Sequence, residues 1–235
     1  MVIALNNKSN LGKYEFLSYQ EKLSTIKATT KLILCPTHLN INLFHLTKID
    51  LGSQNVSENG DGAFTGEVSA QALKESGVKY CIVGHSERRE NQKETNESIY
   101  EKTLKLLEND IVPILCIGET KEERENNKVE EVIQEELRLI NNNLTEEQKG
   151  KIIIAYEPIW SIGTGLIPTV EEIDYVLGLI KSIIPNATLL YGGSANESNI
   201  STLKQSKLIE GYLVGGLSLK LEELQSFINI LESEE

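Results

Sequence analysis

The sequence has little of what marks several large classes of protein. Only 23 of its 235 residues are Lys or Arg, against 35 Asp or Glu, so the formal net charge is −12. An acidic chain of this kind is a poor partner for nucleic acid or for an anionic membrane surface. No apolar run is long enough to span a bilayer, and the first residues, MVIALNNKSN, contain no positively charged leader before an apolar region. We therefore expect a soluble protein that stays in the cytoplasm.

Cysteines are also few, and their spacing favours neither disulfide nor metal chemistry. Cys35, Cys81 and Cys116 lie within or at the end of apolar runs, which predicts small, reduced core residues. No set of His, Cys and carboxylate residues has the spacing of metal ligands, so we expect no metal. The nucleotide fingerprints GxxxxGK[ST] and GxGxxG and the nucleophile elbow GxSxG are absent as well.

Apolar, strand-like runs alternate with helical patterns along the whole chain. Strands are predicted at residues 2–5, 31–35, 49–54, 80–83, 112–117, 152–156, 188–191 and 211–214. Helices are predicted at 13–28, 39–46, 69–75, 95–108, 122–140, 170–183, 197–204 and 221–231. This alternation predicts a parallel sheet in a single domain over residues 1–235, and eight strands are the number that closes a β/α barrel. An open doubly wound sheet has the same alternation, so periodicity leaves both architectures open.

Polar residues that could carry chemistry follow the predicted strands directly. The run 152–156 is apolar on both faces and ends at Glu157, a partly desolvated position that suits a general base. A single acid at a strand end is more often a cap or an ion-pair partner, so Glu157 gains weight only from its neighbours. His85 follows the fourth run and begins a helical turn, which favours a neutral ring that donates a hydrogen bond. The other histidines, His38 and His45, are assigned no role.

Glycine pairs and one lysine follow the last two strands and the first. The pairs at 192–193 and 215–216 would let backbone N–H groups approach an anion such as phosphate, and a β/α barrel commonly binds phosphate at these two loops. A double glycine can also be only a turn. Lys8 follows the first run and would supply the positive charge that an anionic substrate requires, although a single lysine is more often a solvated surface group.

Five segments together resemble the triosephosphate isomerase family. They are AYEPIWSIGTG at 155–165, VGHSERRE at 83–90, YGGSAN at 191–196, GYLVGGLSL at 211–219 and GAFTGEVSA at 62–70. The resemblance covers the chain from about residue 49 to its end and is weaker before that. It implies a (β/α)8 TIM barrel and therefore resolves the ambiguity that periodicity leaves.

The resemblance also implies an activity and the residues that perform it. The family interconverts dihydroxyacetone phosphate and glyceraldehyde 3-phosphate through an enediolate, in glycolysis and gluconeogenesis, without cofactor or metal. By resemblance, Glu157 is the base, His85 is the neutral electrophile, and Lys8 and Asn6 bind substrate and stabilise the oxyanion. The implied phosphate-binding residues are Gly163, Ser194, Gly215 and Gly216, together with Lys8 and Asn6.

Further positions match supporting parts of the family's site. Residues 158–166 would form a lid that closes over Glu157 and excludes water. The implied supporting residues are Ser86 beside the electrophile, Glu87 orienting the lysine, Cys116 packing beside the base, Glu119 receiving Trp160 of the lid, and Tyr191, which with Ser194 receives the closed lid.

The family's intersubunit loop implies a homodimer. In this chain the loop runs from residue 54 to 67, and by resemblance Thr65 reaches toward the neighbouring active site while Glu67 pairs with Arg88. Two departures from the family stand near the site: Asn7 replaces an aromatic residue before Lys8, and 166–168 places a proline at the far hinge of the lid.

Two other functions remain open at this point. A different phosphate-binding barrel isomerase or aldolase would use the same loops, and an aldolase would need Lys8 as its Schiff-base lysine. The two departures also leave room for a barrel that binds phosphate esters with impaired catalysis and serves an interaction role.

Overall fold

Eight parallel strands close into a barrel in the structure of the protein, a computed structural model that describes residues 1–162 and 167–233. The strands are β1 (Val2–Asn6), β2 (Lys31–Cys35), β3 (Asp50–Ser53), β4 (Tyr80–Val83), β5 (Val112–Ile117), β6 (Ile153–Tyr156), β7 (Thr188–Tyr191) and β8 (Gly211–Val214). They pair in chain order, and β8 pairs back onto β1. Closure rules out the open doubly wound sheet and confirms the (β/α)8 TIM barrel.

Helices connect successive strands around the barrel. They are α1 (Lys13–Leu23), α2 (His38–Ile41), α3 (Ala70–Glu75), α4 (Ser86–Gln92), α5 (Asn96–Glu108), α6 (Lys121–Glu125), α7 (Val129–Asn143), α8 (Glu146–Lys149), α9 (Val170–Ile183), α10 (Ile200–Leu203) and α11 (Leu221–Glu232). Short 3-10 helices occupy Ile159–Ser161 and Gly216–Leu219. Within the described ranges, each helix is too short or too polar to cross a bilayer.

Alternation along the strands divides the core into two layers. In β6, Ile153 and Ala155 belong to a cluster built from strand residues alone, whereas Ile154 and Tyr156 pack with the helices outside the barrel. Because side chains alternate with a period of two, the interior face continues past each strand end. Six residues at the carboxyl end of the barrel continue this interior face, because each follows an interior strand residue by two positions. They are Asn6, Gly84, Gly118, Glu157, Gly192 and Gly215. Four of the six are glycines, which leaves space for a site.

Several predicted helix boundaries are wrong for local reasons. The single helix predicted at 122–140 is two helices, because Asn127 adopts a left-handed conformation with φ 56° and ends the first one. The helix predicted at 13–28 ends at Leu23, before the β-branched Thr25 and Ile26. Helix α4 was foreseen only as a first turn, because its sequence SERRENQ lacks the apolar residues that make a helical period visible.

Candidate functional site

A cavity of about 280 Å³ opens at the carboxyl end of the barrel. Its lining comes from the segments that follow β1, β4, β6, β7 and β8, so the topology unites residues that are distant in sequence. The polar and glycine residues that line it are Asn6, Lys8, His85, Glu157, Gly192, Gly193, Ser194, Asn196, Gly215 and Gly216. The sequence-predicted base, electrophile, cation and glycine pairs therefore meet in one cavity.

Glu157 is held in this cavity by two hydrogen-bonding groups from the segment after β4. Its side chain is buried, with a residue exposure of 2%. The Ser86 N–H donates to Oε2 at 3.0 Å, and Oε1 lies 3.1 Å from Nε2 of His85. Glycine at 192 is required beside it, because a Cβ there would stand 2.9 Å from Cγ of Glu157. The carboxylate is thus desolvated but satisfied, and it faces the place where a substrate would lie.

His85 caps the amino end of α4, and its hydrogen bonds define the tautomer. Nδ1 accepts the N–H of Glu87 at 3.2 Å, so the ring hydrogen of the neutral imidazole belongs on Nε2. That nitrogen is the one next to Glu157. With the hydrogen on Nε2, this ring nitrogen can donate to a carbonyl oxygen in the cavity, and the electrophile role stays a prediction from the sequence.

Lys8 and Asn6 stand at and just after the end of β1, and both line the same cavity. Lys8 has a left-handed backbone with φ 52°, and its N–H donates to Oδ1 of Asn6 at 2.9 Å. Gln54 donates to the Lys8 carbonyl at 2.7 Å. The Lys8 ammonium pairs with the Glu87 carboxylate. The acid that the resemblance assigned to orienting the lysine therefore does contact it.

Asn7, where the family usually has an aromatic residue, is buried in a polar network. Its Nδ2 donates to Oγ of Ser218 at 3.1 Å, and Ser218 Oγ donates to the Asn6 carbonyl at 3.2 Å. The Tyr19 hydroxyl donates to the Ser218 carbonyl at 2.7 Å. The departure at Asn7 thus has a structural counterpart: the end of β1 is tied to the 3-10 helix Gly216–Leu219 by hydrogen bonds. Sequence reasoning did not foresee these partners.

The glycine pairs form the other wall of the cavity. Gly215 approaches Lys8 closely, since a Cβ at Gly215 would lie 2.9 Å from Cε of Lys8, and Gly216 begins the 3-10 helix. Ser194 donates its hydroxyl to the Ser161 carbonyl at 2.7 Å, which joins this wall to the start of the predicted lid. Gly163, the remaining predicted phosphate residue, lies outside the described residues, as do 164–166 of the predicted lid.

Glu119 is the centre of a buried cluster beneath the same predicted lid. One of its oxygens, Oε1, accepts hydrogen bonds from Trp160 Nε1 at 2.8 Å, Arg124 Nη1 at 3.0 Å and the Tyr156 hydroxyl at 3.1 Å. The Arg124 guanidinium also stacks over the Trp160 ring, 4.9 Å from its centroid. The predicted contact of Trp160 with Glu119 is present. The contacts of Arg124 and Tyr156 were missed, because Arg124 stands in no motif and the motif that contains Tyr156 does not indicate its partner.

Two further predicted supporting residues are buried near the base. Cys116 lies in β5 within the barrel interior, and burial, followed by the nearby Glu157 carboxylate, raises the pKa of its thiol well above its usual range. Tyr191 ends β7 and is fully buried; burial raises the pKa of its hydroxyl to about 12. All three cysteines of the chain are free and buried, as predicted.

The predicted intersubunit residues lie on the loop that follows β3 and on α4. Thr65 and Glu67 are exposed on the loop that follows β3. Arg88 pairs within the chain with Glu94, which also pairs with Lys102. His38, assigned no role from the sequence, contacts Ser53 Oγ at 3.0 Å beside a cleft next to Lys8.

The comparison with known proteins agrees with this geometry. The sequence model of the family described as triosephosphate isomerase matches residues 1–233. The chain belongs to the triosephosphate isomerase family. It is therefore an isomerase by family, and its closed barrel is the fold that the resemblance implied.

Similar members of the triosephosphate isomerase family come from several bacteria. The chain is 43% identical to a triosephosphate isomerase of Mycoplasmopsis pulmonis over 84% of this chain and 80% of that protein. It is 41% identical to the enzyme of that name from Mesomycoplasma hyorhinis, covering 96% of this chain and 93% of the relative. A Clostridium botulinum triosephosphate isomerase is 35% identical over 97% of this chain and 98% of its own length.

Proposed function

We propose that the protein interconverts dihydroxyacetone phosphate and D-glyceraldehyde 3-phosphate by moving one proton through an enediolate, with Glu157 as the base. One observation carries the proposal: Oε1 of Glu157 and Nε2 of His85 line the same cavity, 3.1 Å apart. A carbonyl compound bound there would meet a proton acceptor and a hydrogen-bond donor at once.

The proton transfer can be followed atom by atom. Glu157 removes a proton from the carbon next to the substrate carbonyl, and the electron pair of that C–H bond forms the enediolate. His85 Nε2–H and the Lys8 ammonium stabilise the negative oxygen, with Asn6 beside them. Protonated Glu157 then gives its proton to the former carbonyl carbon, while the hydroxyl proton of the first carbon passes, by way of His85 Nε2, to the oxygen of the former carbonyl. No electrons leave the substrate, and the base is regenerated.

The phosphate of the substrate would be held by the opposite wall. Ser194, Gly215 and Gly216 present hydroxyl and backbone groups to the cavity, and Lys8 adds a positive charge in an acidic protein. Gly163 would join them when the lid closes. Closure of 158–166 would exclude water from Glu157 and protect the enediolate.

The proposal includes assembly and location. We propose a homodimer in which the loop 54–67 inserts beside the neighbouring active site, a single domain over 1–235, and a cytoplasmic protein. The exposed Phe64 and Thr65 on that loop support an interface, as does the cleft lined by Lys8, His38 and Arg88. Sedimentation at several protein concentrations would test the dimer.

A coupled assay with glyceraldehyde 3-phosphate tests the activity. Turnover that disappears when Glu157 is replaced would support the proposal, and a folded protein without turnover would contradict it. The same assay separates the alternatives raised by the sequence. Tight binding of phosphoglycolate without turnover would indicate a barrel with impaired catalysis, and borohydride trapping of Lys8 would indicate an aldolase.

A further inference from the structure

Glu136 is a buried carboxylate that the proposed mechanism does not use. It lies on α7, behind the ends of β4 and β5, and its side chain is 11% exposed. Oε2 accepts the N–H of Gly118 at 2.8 Å, and Oε1 lies 3.3 Å from Nη1 of Arg89. One carboxylate therefore contacts the residue that follows β5 and a guanidinium from α4.

Arg89 extends this contact to the end of β4. Its Nε donates to the Gly84 carbonyl at 2.9 Å, and its Nη1 donates to Oδ1 of Asn96 at 2.8 Å. The planar guanidinium makes these bonds from one rigid group, so Arg89 and Glu136 can move only together. The pair thus joins the ends of two neighbouring strands from outside the barrel.

Those two strand ends directly support the reacting groups. Gly84 precedes His85 in the chain. Gly118 lies against Glu157, since a Cβ on Gly118 would stand 1.8 Å from the Glu157 carbonyl oxygen, and the Glu157 N–H donates to the Ile117 carbonyl at 2.7 Å. A shift of either strand end would therefore alter the position of the base relative to the imidazole.

We propose that Glu136 is a positioning residue whose ionised carboxylate, through Gly118 and Arg89, fixes Glu157 and His85 in their reactive arrangement. The inference rests on the proposed isomerase function, because its effect is on the groups that transfer the proton. It assigns to Glu136 no contact with substrate.

Because the Glu136 carboxyl can ionise, its effect on the positions of Glu157 and His85 should depend on pH near neutrality. Burial raises the pKa of Glu136 to about 7, although Arg89 and the Gly118 N–H favour the ionised form. The other charged groups that act on it are Glu123 and Glu157, both of which oppose its ionisation. As the pH falls through this range the carboxyl becomes protonated and its attraction for Arg89 weakens, whereas at higher pH the ionised form and its pair with Arg89 predominate.

The test compares Glu136→Gln with the wild type in the isomerase assay at pH 6 and pH 8. The amide keeps an acceptor for Gly118 N–H but cannot ionise. At pH 8 we expect kcat to fall about tenfold, because a small displacement of a reacting group has a large kinetic effect, while KM changes less than about twofold. At pH 6 the kcat values of the two proteins should agree within about twofold, since the side chain at position 136 is then mostly neutral in the wild type and always neutral in the variant.

Glu135→Gln is the matched control. Glu135 is adjacent on α7, its side chain is 54% exposed, and it pairs with Arg138 on the same helix. This variant should follow the wild type at both pH values. A variant that is merely less well folded would not lose a larger fraction of kcat at pH 8 than at pH 6, because its stability relative to the wild type rises with pH. The direction of the pH dependence therefore separates positioning from folding.

The outcomes distinguish this inference from the function on which it rests. A wild type without turnover at either pH would overturn the proposed function. A wild type with turnover and a Glu136→Gln variant equal to it at pH 8, or equally impaired at both pH values, would overturn the inference alone. Should Glu136→Gln not fold, Arg89→Lys carries the test: it should lower kcat at pH 8 with KM unchanged, and an unchanged kcat would overturn the proposal.

Discussion

The two walls of the cavity are built in opposite ways. The wall formed after β4 and β6 presents side chains, Glu157 and His85, each fixed by a hydrogen bond from a backbone N–H of α4. The wall formed after β7 and β8 presents glycines and one hydroxyl. Proton transfer requires one particular atom at a fixed position. An anion can instead be held by several backbone N–H groups, which are accessible at glycines because no side chain covers them.

Burial differs between the walls as well. Glu157 and His85 are 2% and 6% exposed. The side chains of Lys8 and Glu87, at the junction with the glycine wall, are 29% and 49% exposed. Changes on the side-chain wall should therefore act strongly and on kcat, whereas changes on the glycine wall should be milder and act on KM.

The largest effect is expected for Glu157→Asp. Shortening the side chain by one methylene moves the carboxylate away from His85, so kcat should fall about a hundredfold or more with little change in KM. Steady-state kinetics measures both values. Glu171→Asp, an exposed acid at the start of α9, is the control and should leave both unchanged. Turnover near normal in Glu157→Asp would remove Glu157 from the base role.

A smaller effect, on stability, is expected for Glu136→Gln. Burial holds the pKa of Glu136 above its ordinary 4.5, at about 7. Between pH 4.5 and pH 7 Glu136 keeps its proton in the folded protein but has released it in the unfolded chain. The contribution of Glu136 to the free energy of unfolding therefore falls as the pH rises from about 4.5 to about 7 and stays constant above that. From pH 5 to pH 8 the free energy of unfolding should fall by about 2 kcal/mol less in Glu136→Gln than in the wild type.

Denaturant unfolding at the two pH values measures this difference, and Glu135→Gln should behave as the wild type. If the free energy of unfolding fell equally in Glu136→Gln and in the wild type, Glu136 would ionise alike in the folded and the unfolded chain. Together with the kinetic test, the expected result means that the charge on Glu136 costs stability while it supports the reaction.

The glycine wall is tested by Gly215→Ala. The added Cβ would stand 2.9 Å from Cε of Lys8, and the flexible lysine would move aside at little cost to folding. Its ammonium would then move away from the phosphate and from the enediolate oxygen, so KM should rise about tenfold and kcat should fall by a smaller factor, while the unfolding midpoint stays unchanged. Gly178→Ala adds a methyl group in α9 with no atom within 4 Å, and it should not alter KM. A fall in kcat alone would contradict the division between the walls.

The smallest effect is expected for Glu87→Gln. The Lys8–Glu87 pair is partly solvated, and such pairs contribute little, so KM should rise about twofold. Glu90→Gln, an exposed acid on the same helix, serves as the control. A rise in KM above tenfold would mean that Glu87 does more than orient the lysine.

The sequence was most informative where short-range order determines structure. The apolar run before Glu157 predicted β6 to within one residue, and the helical pattern at 170–183 predicted both ends of α9. Predictions failed where local patterns are weak. Helix α4 has no apolar period, and the break at Asn127 depends on one backbone angle. The side chains Glu136 and Arg124 stand in no motif, and the motif that contains Ser218 does not show that its partner is Asn7, so the sequence did not indicate these contacts.

The sequence by itself determined the strands, the residues that end them and the family to which the chain belongs, because these depend on periodicity and on contiguous motifs. Only the tertiary structure decided that the sheet closes and that Lys8, His85 and Glu157 share one cavity. It alone brought Glu136 from α7 to the residue after β5. The physical reason is that these contacts join residues far apart in the chain, whose distances are set by barrel closure and side-chain packing rather than by local conformational preference.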